Sequence, residues 1–274
     1  MTSHRSADYT ESNVEIRVAD ILVDMSGPVA IVTINRPAQR NAMTLSMWQE
    51  MATIFSRLSA SPETRAIILA GAGKDFSTGA DIAEFGKVRA DAAQSAAYEV
   101  AVDASSDAIQ SAKKPTIAVL RGYCLGGGCH LSMACDFRFA ERNAQIGIPA
   151  ARLSIIYGVR STQRLLSLVG VSAAKRILFS AERFDAETGL KNGFVDDVSD
   201  DAMAFALSFA QTMAANAPLS IAGAKYILNG LVMGLGSLDA HVAHKLVGEA
   251  SNSYDYAEGR NAFAEKRPPK FEGR

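Results

Sequence analysis

Apolar and polar positions alternate in short runs through the first part of the chain and settle into helical spacings later. Ile21, Val23 and Met25 share one face, Ser26-Gly27-Pro28 turns the chain, and Val29–Ile34 returns, which predicts a β-hairpin over Val14 to Arg36 with Pro37 closing the strand. Trp48, Met51, Phe55 and Leu58 recur at spacings of three and four, which predicts an amphipathic helix over Thr44 to Leu58. Ala66–Ala70, Pro115–Leu120 and Asp136–Ala140 are short apolar runs bounded by glycines or charges, and each predicts a buried strand. The alanine-rich stretch Ala90 to Ala104 is good helix sequence. Strands alternating with helices predict an α/β core with parallel pairing. From about Phe205 the pattern is helical only, so the reading divides the chain into a loose N-terminal tail (1–14), a β/α core (15–200) and a helical C-terminal region (201–274).

Composition narrows the function classes. The 274 residues carry 28 Lys+Arg against 29 Asp+Glu, a net charge of -1, which argues against a nucleic-acid partner. Cys124, Cys129 and Cys135 form no CxxC pair, and the leading MTSHRSADYTESN has no apolar h-region. Reduced thiols in a cytoplasmic protein are expected. The longest apolar stretch, Gly122 to Cys135, holds four glycines and His130, too few apolar residues for a membrane span. His241 and His244 lack a third ligand nearby and are read as surface histidines, with no metal site expected.

Two glycine-bearing segments carry the candidate chemistry. Asp75-Phe-Ser-Thr-Gly79-Ala80-Asp81-Ile82 and Gly122-Tyr-Cys-Leu-Gly126-Gly127-Gly128-Cys129 each follow a predicted strand and open a predicted helix. Such junctions leave backbone N–H groups unpaired at the positive end of a helix dipole, and glycine lets a ligand approach the main chain closely. Two readings stand side by side: tight packing of helix on strand, or binding of an electron-rich ligand atom. Phosphate cradling is not supported, since neither GxxxxGK[ST] nor a placed GxGxxG occurs and Gly234-Leu235-Gly236 lies inside helical sequence.

Further short motifs follow in order: Asn35-Arg36-Pro37 with Arg40-Asn41-Ala42, Ser77–Ile82, Gly126–Cys129 ending in Cys135-Asp136, Thr162–Leu165, and Ala262–Arg267. Together they make the chain resemble the crotonase (enoyl-CoA hydratase/isomerase) superfamily from about residue 15 to the end. The resemblance implies a crotonase-like core of repeated ββα units in a spiral, a helical C-terminal trimerisation region, and a homotrimer or dimer of trimers. It also implies an acyl-CoA or enoyl-CoA substrate, coenzyme A entering as part of the thioester and no separate cofactor. The oxyanion-hole donors of the family fall on the N–H groups of Ala80 and Gly127. Its coenzyme A contacts fall on Arg40, Ala42, Ala80, Asp81, Ile82 and Gly127, with Phe263 and Lys266 at the nucleotide end; Lys266 and Arg267 also read as solvated charges of a terminal helix.

The sequence departs from the family where hydratases place two glutamates. His130 stands at the first position and Ala150, after Ile148-Pro149, at the second. Syn addition of water needs both carboxylates, so ordinary hydration is expected to be slow. His130 has two readings, a neutral imidazole acting beside the thioester or a polar filler of the vacated space. Tyr157 is read as a core tyrosine, Arg152 and Arg160 as partners in a salt bridge between subunits or to an acidic acyl group, and Asp81 as stabilising a helix start. Two functions follow: an enzyme that stabilises a thioester oxyanion or enolate with a non-glutamate group, catalytic through Ala80, Gly127 and His130, or a non-catalytic acyl-CoA-binding protein.

Overall fold

The computed structural model describes residues 19–153, 155–233 and 238–274. The tail assigned to 1–14, the first residues of the hairpin and Gly234 to Gly236 lie outside the described residues.

Strands β1 (Ile21–Ser26) and β2 (Val29–Ile34) pair antiparallel across Gly27, whose φ of +59° suits a glycine at the turn. Helix α1 (Leu45–Ala60) follows; the Thr44 side chain accepts a hydrogen bond from the Met47 N–H and caps it. Next in order come β3 (Ala66–Gly71), α2 (Phe85–Val88), α3 (Ala92–Ser111), β4 (Thr116–Leu120) and β5 (Tyr123–Leu125). They are followed by α4 (Gly127–Ala134), β6 (Phe137–Glu141), β7 (Gln145–Gly147) and α5 (Val159–Ser180), which kinks at Gly170. Then come β8 (Arg183–Asp185), α6 (Ala186–Asn192) and β9 (Asp197–Ser199). Helices α7 (Ala202–Ala214), α8 (Pro218–Val232), α9 (Ala240–Ser251) and α10 (Tyr254–Glu265) complete the chain.

One sheet has the order β1-β2-β3-β4-β6-β9, parallel from β2 onward, and a second has the order β5-β7-β8. The alternation of side chains along a strand divides the core in two. Ile67 and Leu69 of β3 join Trp48, Phe55 and Leu120 on one face. Ala66, Ile68 and Ala70 turn to the other, where Ala202, Ala206 and Ala210 form the small-residue stripe of α7. Alanines at four-residue spacing let that helix lie close to the sheet. Lys225 of α8 ties the helical end to the sheet, donating to Asp136 Oδ2 at 2.8 Å and to the Lys114 carbonyl at 3.0 Å.

The chain after α10 folds back on it. Asp255 accepts hydrogen bonds from the N–H groups of Glu272 and Gly273, and Glu258 accepts from the Lys270 N–H and the Arg267 guanidinium. These donors hold the Glu258 carboxyl at a pKa of about 2, Arg267 first among them.

Two expectations change. The first glycine-bearing segment opens only a single 3-10 turn (Ile82–Glu84) and the four-residue α2, because the chain restarts at Asp91, whose side chain caps α3. Before the second segment reaches its helix it runs through β5, which pairs with β7 rather than with the main sheet.

Candidate active site

The two glycine-bearing segments meet. A Cβ on Gly79 would lie 2.5 Å from the Gly127 nitrogen, and one on Gly128 would lie 2.4 Å from the Ser77 carbonyl oxygen, so only glycine permits this approach. Ser77 donates its N–H to the Tyr123 carbonyl and accepts the Leu125 N–H on its own carbonyl, both at 2.9 Å, which locks the first segment onto β5. On its other side Met43 bridges Ala80: the Met43 N–H donates to the Gly79 carbonyl and the Asp81 N–H donates to the Met43 carbonyl. A parallel bridge of this kind uses the groups on either side of Ala80 and leaves the Ala80 N–H facing away from Met43. Gly127 is the first residue of α4, where no carbonyl of the preceding turn is available. Among the described residues neither N–H has an acceptor, so two adjacent loops each present one free donor.

The residues around these donors are tied down. Arg36 donates to the Ala42 carbonyl at 2.7 Å and to Asp81 Oδ2 at 2.9 Å, and Asp81 Oδ1 accepts the Ala83 N–H. Asp81 therefore caps a helical turn, as its position suggested. Glu84 Oε2 accepts the Leu45 N–H at 2.9 Å and so serves the start of α1. Ile82 is exposed beside them.

His130 lies one turn along α4 from Gly127 and is 3% exposed. Its Nε2 is 3.3 Å from the Val102 carbonyl oxygen, and its Nδ1 is 2.6 Å from Ser161 Oγ. A carbonyl only accepts, so Nε2 carries the proton and Nδ1 accepts from the serine hydroxyl. Burial lowers the imidazole pKa to about 4, with the Arg164 guanidinium acting in the same direction. The ring is neutral with both nitrogens occupied. It stands edge-on to Trp48 (6.5 Å between centroids) and to Tyr157 (6.4 Å). Trp48 is fully buried, donates its Nε1–H to Tyr98 Oη at 2.8 Å, and comes within 3.0 Å of where a Gly127 Cβ would sit. Burial pushes the Tyr98 hydroxyl up to about 12. Tyr157 is half-buried, packs against the large core as expected, and its hydroxyl reaches the Gly126 carbonyl at 3.4 Å, so this part of the core is also a wall of the site.

Ala150 is buried in the large core, with its methyl group in place of any acid. Arg160, half exposed, pairs with Asp107 of its own chain. Arg164, 2% exposed, shares that carboxylate and also bonds Ser106 and Gln110, pinning α5 to α3. Asp103, one turn from Asp107, has its carboxyl pKa raised by burial first and by Asp107 second. Arg40 lies over the Tyr123 ring. Phe263 and Lys266 stand elsewhere, on α10: Phe263 is exposed and helps line a groove of about 1130 Å³ between α8, α9 and α10, and Lys266 ends the helix at a left-handed φ of 54°. Among the described residues no group of three metal-ligating side chains occurs, and no helix is long and apolar enough to cross a membrane.

All three cysteines are buried and free. Cys124 and Cys129 flank the Gly126–Gly128 turn with sulfurs 3.9 Å apart, and burial raises the Cys124 thiol well above its usual range and Cys135 to about 12.

Sequence reasoning did not find Trp48 or Ser161. Trp48 read only as one apolar position of a helix, and a lone serine near a helix start gives no sign of a partner 31 residues away.

The profile described as "Enoyl-CoA hydratase/isomerase" matches residues 24–274. Short-chain-enoyl-CoA hydratase of Clostridium acetobutylicum is 33% identical over 258 residues, covering 93% of this chain and 97% of that protein. The 2,3-dehydroadipyl-CoA hydratase of Escherichia coli is 31% identical over 264 residues, covering 94% and 100%. Among solved structures, an enoyl-CoA hydratase/carnithine racemase from Magnetospirillum magneticum superposes with a TM-score of 0.88 at 32% identity, covering 94% of this chain and 97% of that one.

Proposed function

Because the chain belongs to the enoyl-CoA hydratase/isomerase family, we propose that it binds an acyl-CoA thioester and holds the carbonyl oxygen between the N–H groups of Ala80 and Gly127. The observation that carries this reading is the pair of free donors on two loops that touch. Deprotonating or attacking a thioester places negative charge on its oxygen. Donors fixed in advance stabilise that charge without reorganising, and removal of one such donor costs about 3–4 kcal/mol in the transition state. The product of this step is an oxyanion or enolate. Arg40, Ala42, Asp81 and Ile82 would border the coenzyme A arm, and Phe263 and Lys266 its nucleotide end in a homotrimer or dimer of trimers. The thioester brings its own coenzyme A, and the setting is cytoplasmic.

Ordinary hydration does not fit this site. Water addition needs one carboxylate to activate the water and another to move a proton to the α-carbon, and His130 and Ala150 supply neither. His130, neutral and bonded on both nitrogens, stands edge-on to Trp48 and Tyr157 and lines the wall of the site beside Gly127 rather than moving a proton. The engaged imidazole and the methyl of Ala150 also favour a second reading, a binding protein that keeps the donors without turnover.

Calorimetry with butyryl-CoA and its thioether counterpart, S-butyl-CoA, tests the oxyanion hole directly. The two ligands differ by one carbonyl oxygen. We expect the thioether to bind at least about tenfold more weakly, the scale of one or two lost hydrogen bonds. Equal affinities would overturn the assignment of Ala80 and Gly127.

A further inference from the structure

Two rings beside the Gly127 donor share one hydrogen bond and leave one proton over. Trp48 and Tyr98 are 0% and 2% exposed, and the indole Nε1–H donates to Tyr98 Oη at 2.8 Å. A phenol hydroxyl both accepts and donates. Among the described residues the Tyr98 hydroxyl donates to no acceptor. Other buried hydroxyls nearby do donate: Ser77 to the Asn41 carbonyl at 2.7 Å, Ser105 to the Val102 carbonyl at 2.7 Å and Ser132 to the Cys129 carbonyl at 3.0 Å. The carboxylates whose charges bear on Tyr98 are engaged elsewhere, Glu84 on the Leu45 N–H at 2.9 Å and Glu99 on the Arg89 guanidinium at 2.8 Å. A buried polar hydrogen is costly to leave unpaired, so a donor that its own chain does not satisfy is one that a ligand can complete.

This hydroxyl stands close to the place a thioester would take. Indole atoms Cζ2 and Cη2 lie 3.1 and 3.0 Å from where a Gly127 Cβ would be. Nε1 and Cζ2 are bonded to the same ring carbon. One hydrogen bond, one edge of the indole and one van der Waals contact therefore separate Tyr98 Oη from Gly127. His130, one turn along α4 from Gly127, stands edge-on to Trp48, and its Nε2 meets the Val102 carbonyl, one turn along α3 from Tyr98. The phenol is braced from behind. Phe85 meets it edge-on at 5.8 Å, and the Arg89 guanidinium lies 4.9 Å from the Phe85 centroid and 5.1 Å from that of Tyr98. A ring held in this way loses little further freedom when a ligand binds.

We propose that the Tyr98 hydroxyl is a specificity-determining donor to a keto oxygen on the acyl chain, so that the ligand is an oxoacyl-CoA rather than a plain hydrocarbon thioester. This inference rests on the acyl-CoA reading above and adds to it the chemistry of the acyl group. A hydrocarbon chain leaves the buried proton unpaired in the complex, whereas a keto oxygen completes it. A hydroxyl on the chain suits the site less well, because it brings a proton of its own. The carbonyls at hand are already doubly engaged: Val102 accepts from His130 Nε2 and Ser105 Oγ, and Gly126 from Tyr157 Oη and the His130 N–H. Trp48 is the positioning residue of the pair, since its N–H fixes Oη and leaves the phenol proton as the free part.

The experiment is calorimetry with two matched pairs, butyryl-CoA against 3-oxobutyryl-CoA and pentanoyl-CoA against 4-oxopentanoyl-CoA. We expect wild type to bind the oxo member of at least one pair about five- to tenfold more tightly than its parent, the scale of one hydrogen bond. The pair that shows the preference locates the oxygen along the chain. In Tyr98→Phe the ratio of oxo to parent affinity falls to one. That variant leaves the Trp48 N–H without its acceptor, so Trp48→Phe/Tyr98→Phe, which removes both partners, is measured beside it and is expected to lose the preference too. The wild-type ratio stands even where a variant fails to fold. Parent thioesters bound as tightly as both oxo ligands by wild type would overturn the proposal. So would a preference that survives in folded Tyr98→Phe, which would place the keto oxygen on another donor. Failure of the oxyanion reading shows separately, as equal binding of butyryl-CoA and S-butyl-CoA by wild type, and absence of any thioester binding removes both readings.

Discussion

His130 shows how a buried polar side chain is accommodated beside the donor loops. A glutamate buried at this position would carry charge; a neutral imidazole bonded to Val102 and Ser161 satisfies its own polar atoms. Its proton affinity has a consequence for stability. In the unfolded chain the imidazole titrates near 6.5, and in the folded chain near 4, so between these values the unfolded state holds the extra proton. The stability linked to His130 is therefore complete above 6.5 and is lost as pH falls toward 4. Between pH 7 and pH 5 this loss amounts to about 2 kcal/mol. Urea unfolding of wild type and His130→Gln at the two pH values measures it. A smaller drop in the glutamine variant is expected, and an equal drop in both proteins would exclude His130 as the cause. The free N–H groups of Ala80 and Gly127 could be anticipated from the family resemblance, whereas the glycine spacing alone left close packing and ligand binding side by side. The contacts of His130 could not, because Ser161, Val102 and Trp48 are 28 or more residues away along the chain.

Among the elements, length decided what was readable. Helix α1 and strands β3, β4 and β6 each have five or more residues of patterned sequence and lie where the pattern puts them, within a residue or two; the hairpin turns where expected, with its described first strand starting at Ile21. Strands β5, β7, β8 and β9 have three residues each, as in Gln-Ile-Gly or Arg-Phe-Asp, too few for any periodicity. They exist because distant partners supply their hydrogen bonds. The helix expected after Asp81 failed for a local reason, since a genuine cap there is followed by a second cap at Asp91. Glycines separate elements under contact from elements without it. A methyl group on Gly128 would lie 2.4 Å from the Ser77 carbonyl, whereas one on Gly248 in α9 would meet nothing within 4 Å. Gly128→Ala must push α4 from the first loop and is expected to destabilise by roughly 1–3 kcal/mol and to impair thioester binding. Gly248→Ala removes backbone freedom from the unfolded chain and is expected to stabilise by up to about 1 kcal/mol. Thermal melting of the pair checks both signs; a destabilised Gly248→Ala or an unperturbed Gly128→Ala would contradict this packing.

At the scale of the whole molecule, the sheet is covered on both faces and the last residues return to it. Arg65, just before β3, reaches the carbonyl oxygens of Asn216 and Phe271, so the start of β3 and the end of the chain share one side chain. Opening of the β5–α4 segment, by contrast, would expose side chains that the folded chain buries. The three cysteines make this measurable. Cys124 and Cys129 lie within the β5–α4 segment that supplies Gly127, Cys135 follows directly at the end of α4, and all three are buried in the folded chain. A thiol-reactive dye thus acts as a clock for this one segment, silent until β5 and α4 part. Modification should follow opening rather than surface chemistry, and saturating butyryl-CoA should slow it by stabilising the closed form. Rapid labelling of the native protein, unaffected by ligand, would mean that this segment breathes independently of the site it builds. The protein carries its own reporter of occupancy, at the one place where occupancy matters.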